Sequence, residues 1–306
     1  MSRVTGDLFR DHYWQTPAVR HLAWLLTSPS LLANESLAVQ PLEPAEVAQK
    51  LKTLDSDPNT LLSRLGERRS HRLGVYFEQL YRFALEHFMD YEVVLQNQQI
   101  QANQHTLGEL DFIVRRHQDQ RVEHHEIAVK FYLGYVPASE EPDWWGPDSA
   151  DRLSRKLHRL LTHQARLCEQ ATTRTFLRQL DIEQVYPRIF LRGYLFSPVA
   201  GQAVPDLPPG TSEQCPRGYW LRQAEAQRRP CPKDRLRVPL RKPDWLGPLQ
   251  LPADTSNAGT TGDIPILQRT EKRVHPQLFA DLERTEKGFW LERERFFVVP
   301  ENWPAL

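Results

Sequence analysis

Asp111, Glu126 and Lys130 lie in two neighbouring apolar runs, ELDFIVR (109–115) and HEIAVKFYL (125–133). Charged groups in segments otherwise suited to a sheet interior are costly to bury unless they are paired or used in chemistry. Side chains alternate along a strand. Glu109, Asp111, Ile113 and Arg115 therefore share one face of the first run, opposite Leu110, Phe112 and Val114. In the second run Glu126, Ala128 and Lys130 share a face, so a hairpin of suitable register brings Asp111 to Glu126 and Lys130. Grouped carboxylates suit a hard divalent cation, Mg²⁺ or Mn²⁺, which takes oxygen ligands. A lysine beside them can orient a water for attack on phosphorus while the cation steadies the developing charge. Glu78, inside the apolar run LGVYFEQLYRFALEHFM (73–89), is a further candidate from a flanking helix. The competing readings are a solvated sheet face for Glu126 and Lys130, and a structural hydrogen bond to a backbone amide for Glu78.

The elements that must hold these groups follow from periodicity and punctuation. Residues 17–32, PAVRHLAWLLTSPSLL, have helical apolar spacing ended by Ser28-Pro29. A second helix is expected after Glu43-Pro44, and the 73–89 run is the strongest helix in the chain. Strands are expected at 91–101, 109–115 and 125–133, and their short polar connections favour antiparallel hairpins. An amphipathic helix is expected over 151–170, with Leu153, Leu157, Leu160, Leu161 and Leu167 on one face, and a fourth core strand over 187–196. Beyond Ser197, to about Gln268, regular spacing gives way to Pro, Gly and charge. HPQLFADLERT (275–285) has helix-like spacing and RFFVVP (295–300) is strand-like. The order helix, three strands, helix, strand points to an α+β class. We divide the single domain, 1–306, into an N-terminal helical part (1–70), a core (71–196) and a Pro-rich, basic extension packed on it (197–306).

Bulk composition narrows the function classes. The 306 residues carry 39 basic and 39 acidic side chains, so no global charge draws the chain to nucleic acid or anionic lipid. Binding of that kind must come from local patches. Residues 217–242 hold nine Lys/Arg against two acids, with Tyr219, Trp220 and Trp245 among or beside them, a mixture that can grip nucleic acid. No apolar run is long enough to span a bilayer and the N-terminus lacks a secretory h-region, so a cytoplasmic protein without a membrane partner is expected. Cys168, Cys215 and Cys231 form no C-x-x-C pair, and neither zinc nor a disulfide framework is indicated. His124 and His125, adjacent on a strand, point to opposite faces and make no bidentate pair. Trp144-Trp145, among acidic residues of a Pro-rich loop that includes Glu140, are either a lid over the site or the aromatic pins of that loop.

Glu78 on a helix, then GELDFIV, then a strand bearing a lysine, resembles the PD-(D/E)XK nuclease superfamily, whose core has the element order given above. The whole chain also resembles one bacterial family, the domain of unknown function 1853 family, through VRHLAWLLTSPSLL, LGVYFEQLY, GELDFIV, EIAVKFYLG, KLHRLLTHQ and RFFVVPENWP. The nuclease resemblance implies a restriction-endonuclease-like core and Mg²⁺- or Mn²⁺-dependent hydrolysis of DNA or RNA, with a homodimer as one assembly. Asp111 would be the central metal ligand, Lys130 the catalytic lysine and Glu78 the helix acid. Lys156 and Gln164, on the following helix, would contact substrate phosphate. The superfamily's other acid stands two residues before the lysine, where this chain has Ala128, and Glu126 stands four before it. That moves the carboxylate about 6.6 Å along the strand, roughly three times the Mg²⁺–oxygen distance of about 2.1 Å. Glu109 or Glu78 fills the gap, Glu126 reaches a displaced metal, or the fold is a degenerate nuclease that binds nucleic acid or a protein partner.

Overall fold

Pro17 opens a helix and Ser28-Pro29 closes it, because a residue preceding proline is pushed out of the helical region. The computed structural model describes residues 6–66, 72–102, 105–138, 141–255 and 275–304. The N-terminal helices are α1 (Gly6–Arg10), α2 (Pro17–Thr27), α3 (Pro44–Ser56), α4 (Asn59–Gly66) and α5 (Leu73–His87). α2 is buried from Ala18 to Thr27, so nearly its whole circumference meets protein. α5 buries Phe77, Leu80, Tyr81, Ala84 and Leu85 and leaves Glu78 half-buried.

The strands β1 (Tyr91–Ala102), β2 (His105–Arg116) and β3 (Val122–Tyr135) form the expected antiparallel hairpins. The rest of the chain follows as β4 (Asp143–Trp145), α6 (Leu153–Arg159), α7 (Ala171–Arg178), β5 (Tyr186–Pro198), β6 (Arg217–Arg222), α8 (Gln223–Gln227), β7 (Arg235–Leu240), β8 (Gln250–Leu251), β9 (Gln277–Arg284) and β10 (Trp290–Val299). One mixed sheet runs in the order β1-β2-β3-β5-β6-β10-β9-β7, with β4 on β3 and β8 on β10. β3, β5, β6 and β10 are parallel neighbours. The α5 side of the sheet packs Phe77 and Tyr81 against Phe112 and Phe190. The opposite side packs Leu153, Leu157 and Leu160 against Ile189, Leu191 and Tyr132. This is a mixed α+β architecture around a large sheet.

Three expectations change. Residues 275–285 contain a strand, not a helix: β9 lies inside the sheet between β10 and β7. Leu278, Ala280 and Leu282 face one core cluster and Phe279 another, and a strand buried on both faces loses the two-residue polar alternation that marks it. The 197–268 stretch, read as patternless, supplies β6, β7 and β8; residues 256–268 lie outside the described residues. The 151–170 helix breaks after Arg159 into a π turn (Leu160–Gln164) and a 3₁₀ turn (Leu167–Glu169). Trp144 and Trp145 are buried as the pins of β4 rather than exposed as a lid, while Glu140 lies outside the described residues.

Candidate active site

The β2–β3 ladder ends at Phe112 opposite His125, and β4 takes up the same edge of β3 only at Leu133. Between them β3 is paired to β5 on its other side, Lys130 lying across from Gly193. A cavity of about 660 Å³ fills this gap, and Ile127, Ala128, Val129, Lys130 and Phe131 all line it. Consecutive residues reach it because it meets β3 at its edge rather than on one face. Asp111 lines it from β2, Glu78 from α5, Lys156 from α6 and Asp151 from the turn before α6.

Asp111 stands one step beyond the last β2–β3 pair, opposite Glu126 in the continued register. Where the ladder stops, its carboxylate replaces a backbone acceptor and takes the Ile127 N–H at 2.9 Å. Burial, and then the negative charge of Glu126, push the Asp111 pKa up to about 7. Glu126 is fully buried and is not among the residues lining the cavity. Its Oε2 accepts from Gln164 Nε2 at 2.8 Å, and Gln164 Oε1 accepts from Lys156 Nζ at 3.1 Å. The π turn carries Gln164 in this relay, and such widened turns are frequent at functional positions. Glu126 Oε1 and His124 Nε2 lie 3.1 Å apart without the alignment of a hydrogen bond, and neither has another partner.

Lys130 forms an ion pair with Asp151 at 2.5 Å, and Tyr132 donates to the other oxygen of Asp151 at 3.2 Å. Lys156, half-buried beside Lys130, has its pKa lowered, first by desolvation and then by that neighbouring charge. Gly193 fixes the strand spacing at Lys130. Its φ is +153°, and a Cβ there would stand 1.7 Å from the Lys130 carbonyl oxygen.

Of the residues singled out in the sequence, Asp111, Lys130, Glu78 and Lys156 come together at the cavity. Glu126 and Gln164 adjoin it through the hydrogen-bonded relay. Glu109 does not reach it: it is exposed on the β1–β2 hairpin, opposite Gln99. Leu110 joins Ile113 in one cluster while Phe112 joins another, so the strict alternation expected for 109–115 fails at Asp111, where the ladder ends. Among the described residues no group of three or more His, Cys, Asp or Glu is arranged to hold a metal unaided. Asp151, Lys242 and Trp245 also line the cavity and were not singled out for it. No spacing rule links Asp151 to Lys130, and Lys242 and Trp245 were read only as part of the basic segment.

Three of the nine basic residues of that segment are bound within the fold, while Arg217, Arg228, Arg229, Lys233, Arg241 and Lys242 are exposed. Arg237 pairs with Asp281, Arg235 with Glu294, and Arg222 donates to the carbonyls of Pro300, Glu301 and Trp303. Trp220 is buried and Tyr219 stacks on Phe296. Among the described residues no helix is long and apolar enough to cross a membrane, and Cys168, Cys215 and Cys231 are free. Comparison with curated proteins and with solved structures returned no match. The family model described as a domain of unknown function, DUF1853, matches residues 20–299, and the chain belongs to that family.

Proposed function

We propose that the protein is a metal-dependent phosphodiesterase acting on nucleic acid, built on a restriction-endonuclease-like core that runs from α5 to β5. The observation that carries this reading is the meeting of Asp111 and Lys130, from separate strands, in one cavity with Glu78. Asp111 and Glu126 are like charges held close in a partly desolvated place, as the raised pKa of Asp111 reflects. The buried Glu126 Oε1 accepts no hydrogen bond, its polar neighbour His124 Nε2 lying 3.1 Å away out of alignment, which leaves an oxygen that would suit a cation shared with Asp111. Mg²⁺ needs only one or two carboxylates when water and phosphate complete its shell, so the small donor set suits it. Asp111 and Glu126 would hold the ion, with Glu78 as a further oxygen donor. When bound, it supplies charge stabilisation at the phosphoryl oxygens.

The chain's own groups do the rest. Lys130, steadied by Asp151, orients the attacking water and faces the developing negative charge. Lys156 adds a second cation for the phosphate, and its bond to Gln164 fixes its direction. Lys130→Met is expected to lower the cleavage rate by roughly 10²–10⁴-fold with little change in melting temperature. Unchanged cleavage by that variant removes Lys130 from the mechanism. A second reading, a nuclease fold that binds without cutting, is favoured by one observation: Glu126 does not line the cavity. Under that reading the purified wild type binds nucleic acid and cuts none with either metal.

A further inference from the structure

The loop after β7 is held with unusual firmness for a segment rich in proline and charge. Asp244 accepts from the buried Arg20 and lies 3.2 Å from the buried His21, which is itself 2.9 Å from the Tyr76 hydroxyl. Arg295, buried and paired with Glu292, donates to the carbonyls of Trp245 and Gly247. Gly247, at φ +73°, packs against Trp24 so closely that a Cβ would approach it to 2.8 Å. The product of this bracing is a fixed wall of the cavity, in which Lys242 and Trp245 face the same space as Asp111 and Lys130.

The Trp245 indole N–H is already spent on the Leu240 carbonyl at 3.1 Å. The half-buried ring also packs edge-to-face with Phe131 at 5.0 Å and Phe297 at 5.3 Å, so what it offers a ligand is the part of its π surface that Lys242 covers. Lys242, an exposed side chain, lies over that ring with Nζ 4.7 Å from the centroid. An exposed cation–π contact of this kind is worth only about 0.5–1 kcal/mol, so a flat ligand can displace it. Stacking on an aromatic face beside a lysine is how single strands are gripped without base-specific hydrogen bonds. A volume of about 660 Å³ is the size of a small-ligand pocket. It admits an unstacked nucleotide or two, whereas a duplex keeps its bases stacked inside and cannot offer one to Trp245.

We propose that the 241–249 loop is the substrate-selecting wall of the site. Trp245 stacks an unpaired base and Lys242 moves to a flanking phosphate, so the substrate is single-stranded or frayed nucleic acid rather than intact duplex. This rests on reading Asp111 and Lys130 as the hydrolytic pair. The test is binding by the full chain carrying Asp111→Asn, with Mg²⁺ present, to a fluorescent oligothymidine and to a duplex of equal length. The single strand is expected to bind at least tenfold more tightly. Trp245→Leu, which keeps apolar bulk and removes the ring, is expected to weaken single-strand binding by roughly tenfold or more. Lys242→Glu, at an exposed position where folding is not at issue, is expected to weaken it and to lower the salt slope by about 0.7 or more. Equal binding of strand and duplex, or an unchanged affinity in Lys242→Glu or in folded Trp245→Leu, overturns the proposal. Cleavage by wild type is a separate readout. A protein that cuts duplex freely but ignores Trp245 keeps the hydrolytic reading and loses this one, and a protein that grips single strands without cutting does the reverse.

Discussion

Asp111 sits where two demands on one carboxylate conflict. It caps the end of the β2–β3 ladder through the Ile127 N–H, a bond that favours the charged form. Burial and the nearby Glu126 disfavour that form more strongly and push its pKa up to about 7. In the unfolded chain an aspartate ionises near 3.9. The folded protein therefore retains a proton that the unfolded chain loses, and stability falls as pH rises between about 4 and about 7. The full penalty above that window is at most about 4 kcal/mol. Asp111→Asn keeps an acceptor for Ile127 and removes the charge. Without divalent cations it is expected to melt above wild type near pH 8 and to match it near pH 4. Mg²⁺ or Mn²⁺ should raise the wild-type melting temperature near pH 8 and leave the variant's unchanged. Equal melting of the two proteins near pH 8 contradicts the like-charge account. The sequence made Asp111 and Lys130 legible because charged residues in apolar strands have few inexpensive explanations. It left Glu126 ambiguous because alternation predicts a shared face, whereas the cavity meets β3 along its edge.

At the scale of elements, β3 is the piece on which the site depends. Its edge is unladdered between His125 and Leu133, and β5 fixes its other side. Gly193 is the tight point of that second pairing, opposite Lys130. Gly193→Ala forces its Cβ onto the Lys130 carbonyl at a backbone angle that side chains avoid, and is expected to cost at least about 2 kcal/mol. Cleavage should fall with it, since Lys130 shifts with the strand. A denaturant midpoint like wild type's would show that the two strands can part there without cost. The helix–strand–strand–strand order and the β5 core strand were legible because each has a clear period and turn residues at its ends. The break in the 151–170 helix was not. Its leucines keep helical spacing, and only the Gln164 side chain, drawn toward Glu126, marks where the backbone widens.

Across the whole molecule, the segment read as a basic extension is part of the same sheet. β7 does alternate, with Leu236, Val238 and Leu240 all in the main core. The run is short, carries arginines between them and contains Pro239, so it does not stand out as a strand in the sequence. Ion pairs tie it in as well. The Arg237–Asp281 pair is the clearest case: two parallel contacts of 2.7 Å join β7 to β9 with both side chains buried. Asp281→Asn leaves a buried guanidinium without its counter-charge and is expected to cost about 3–5 kcal/mol, measurable by chemical denaturation. A loss under about 1 kcal/mol would instead mark the pair as incidental, the usual result for surface ion pairs. Arg222, Arg235 and Arg237 of this stretch thus serve the fold. Lys242 and Trp245 are what it contributes to the cavity.

On the function proposed above, the cavity where Asp111 meets Lys130 hydrolyses phosphodiesters with a divalent cation. The most direct test of that function is cleavage of supercoiled plasmid, single-stranded DNA and single-stranded RNA by wild type and Asp111→Ala, with Mg²⁺, with Mn²⁺ and with chelator. Wild type is expected to cleave at least one substrate in a metal-dependent way, and Asp111→Ala to lose that cleavage to the level seen with chelator. A wild type that cuts none of them with either metal, or an Asp111→Ala protein that cuts as well as wild type, contradicts the proposed function.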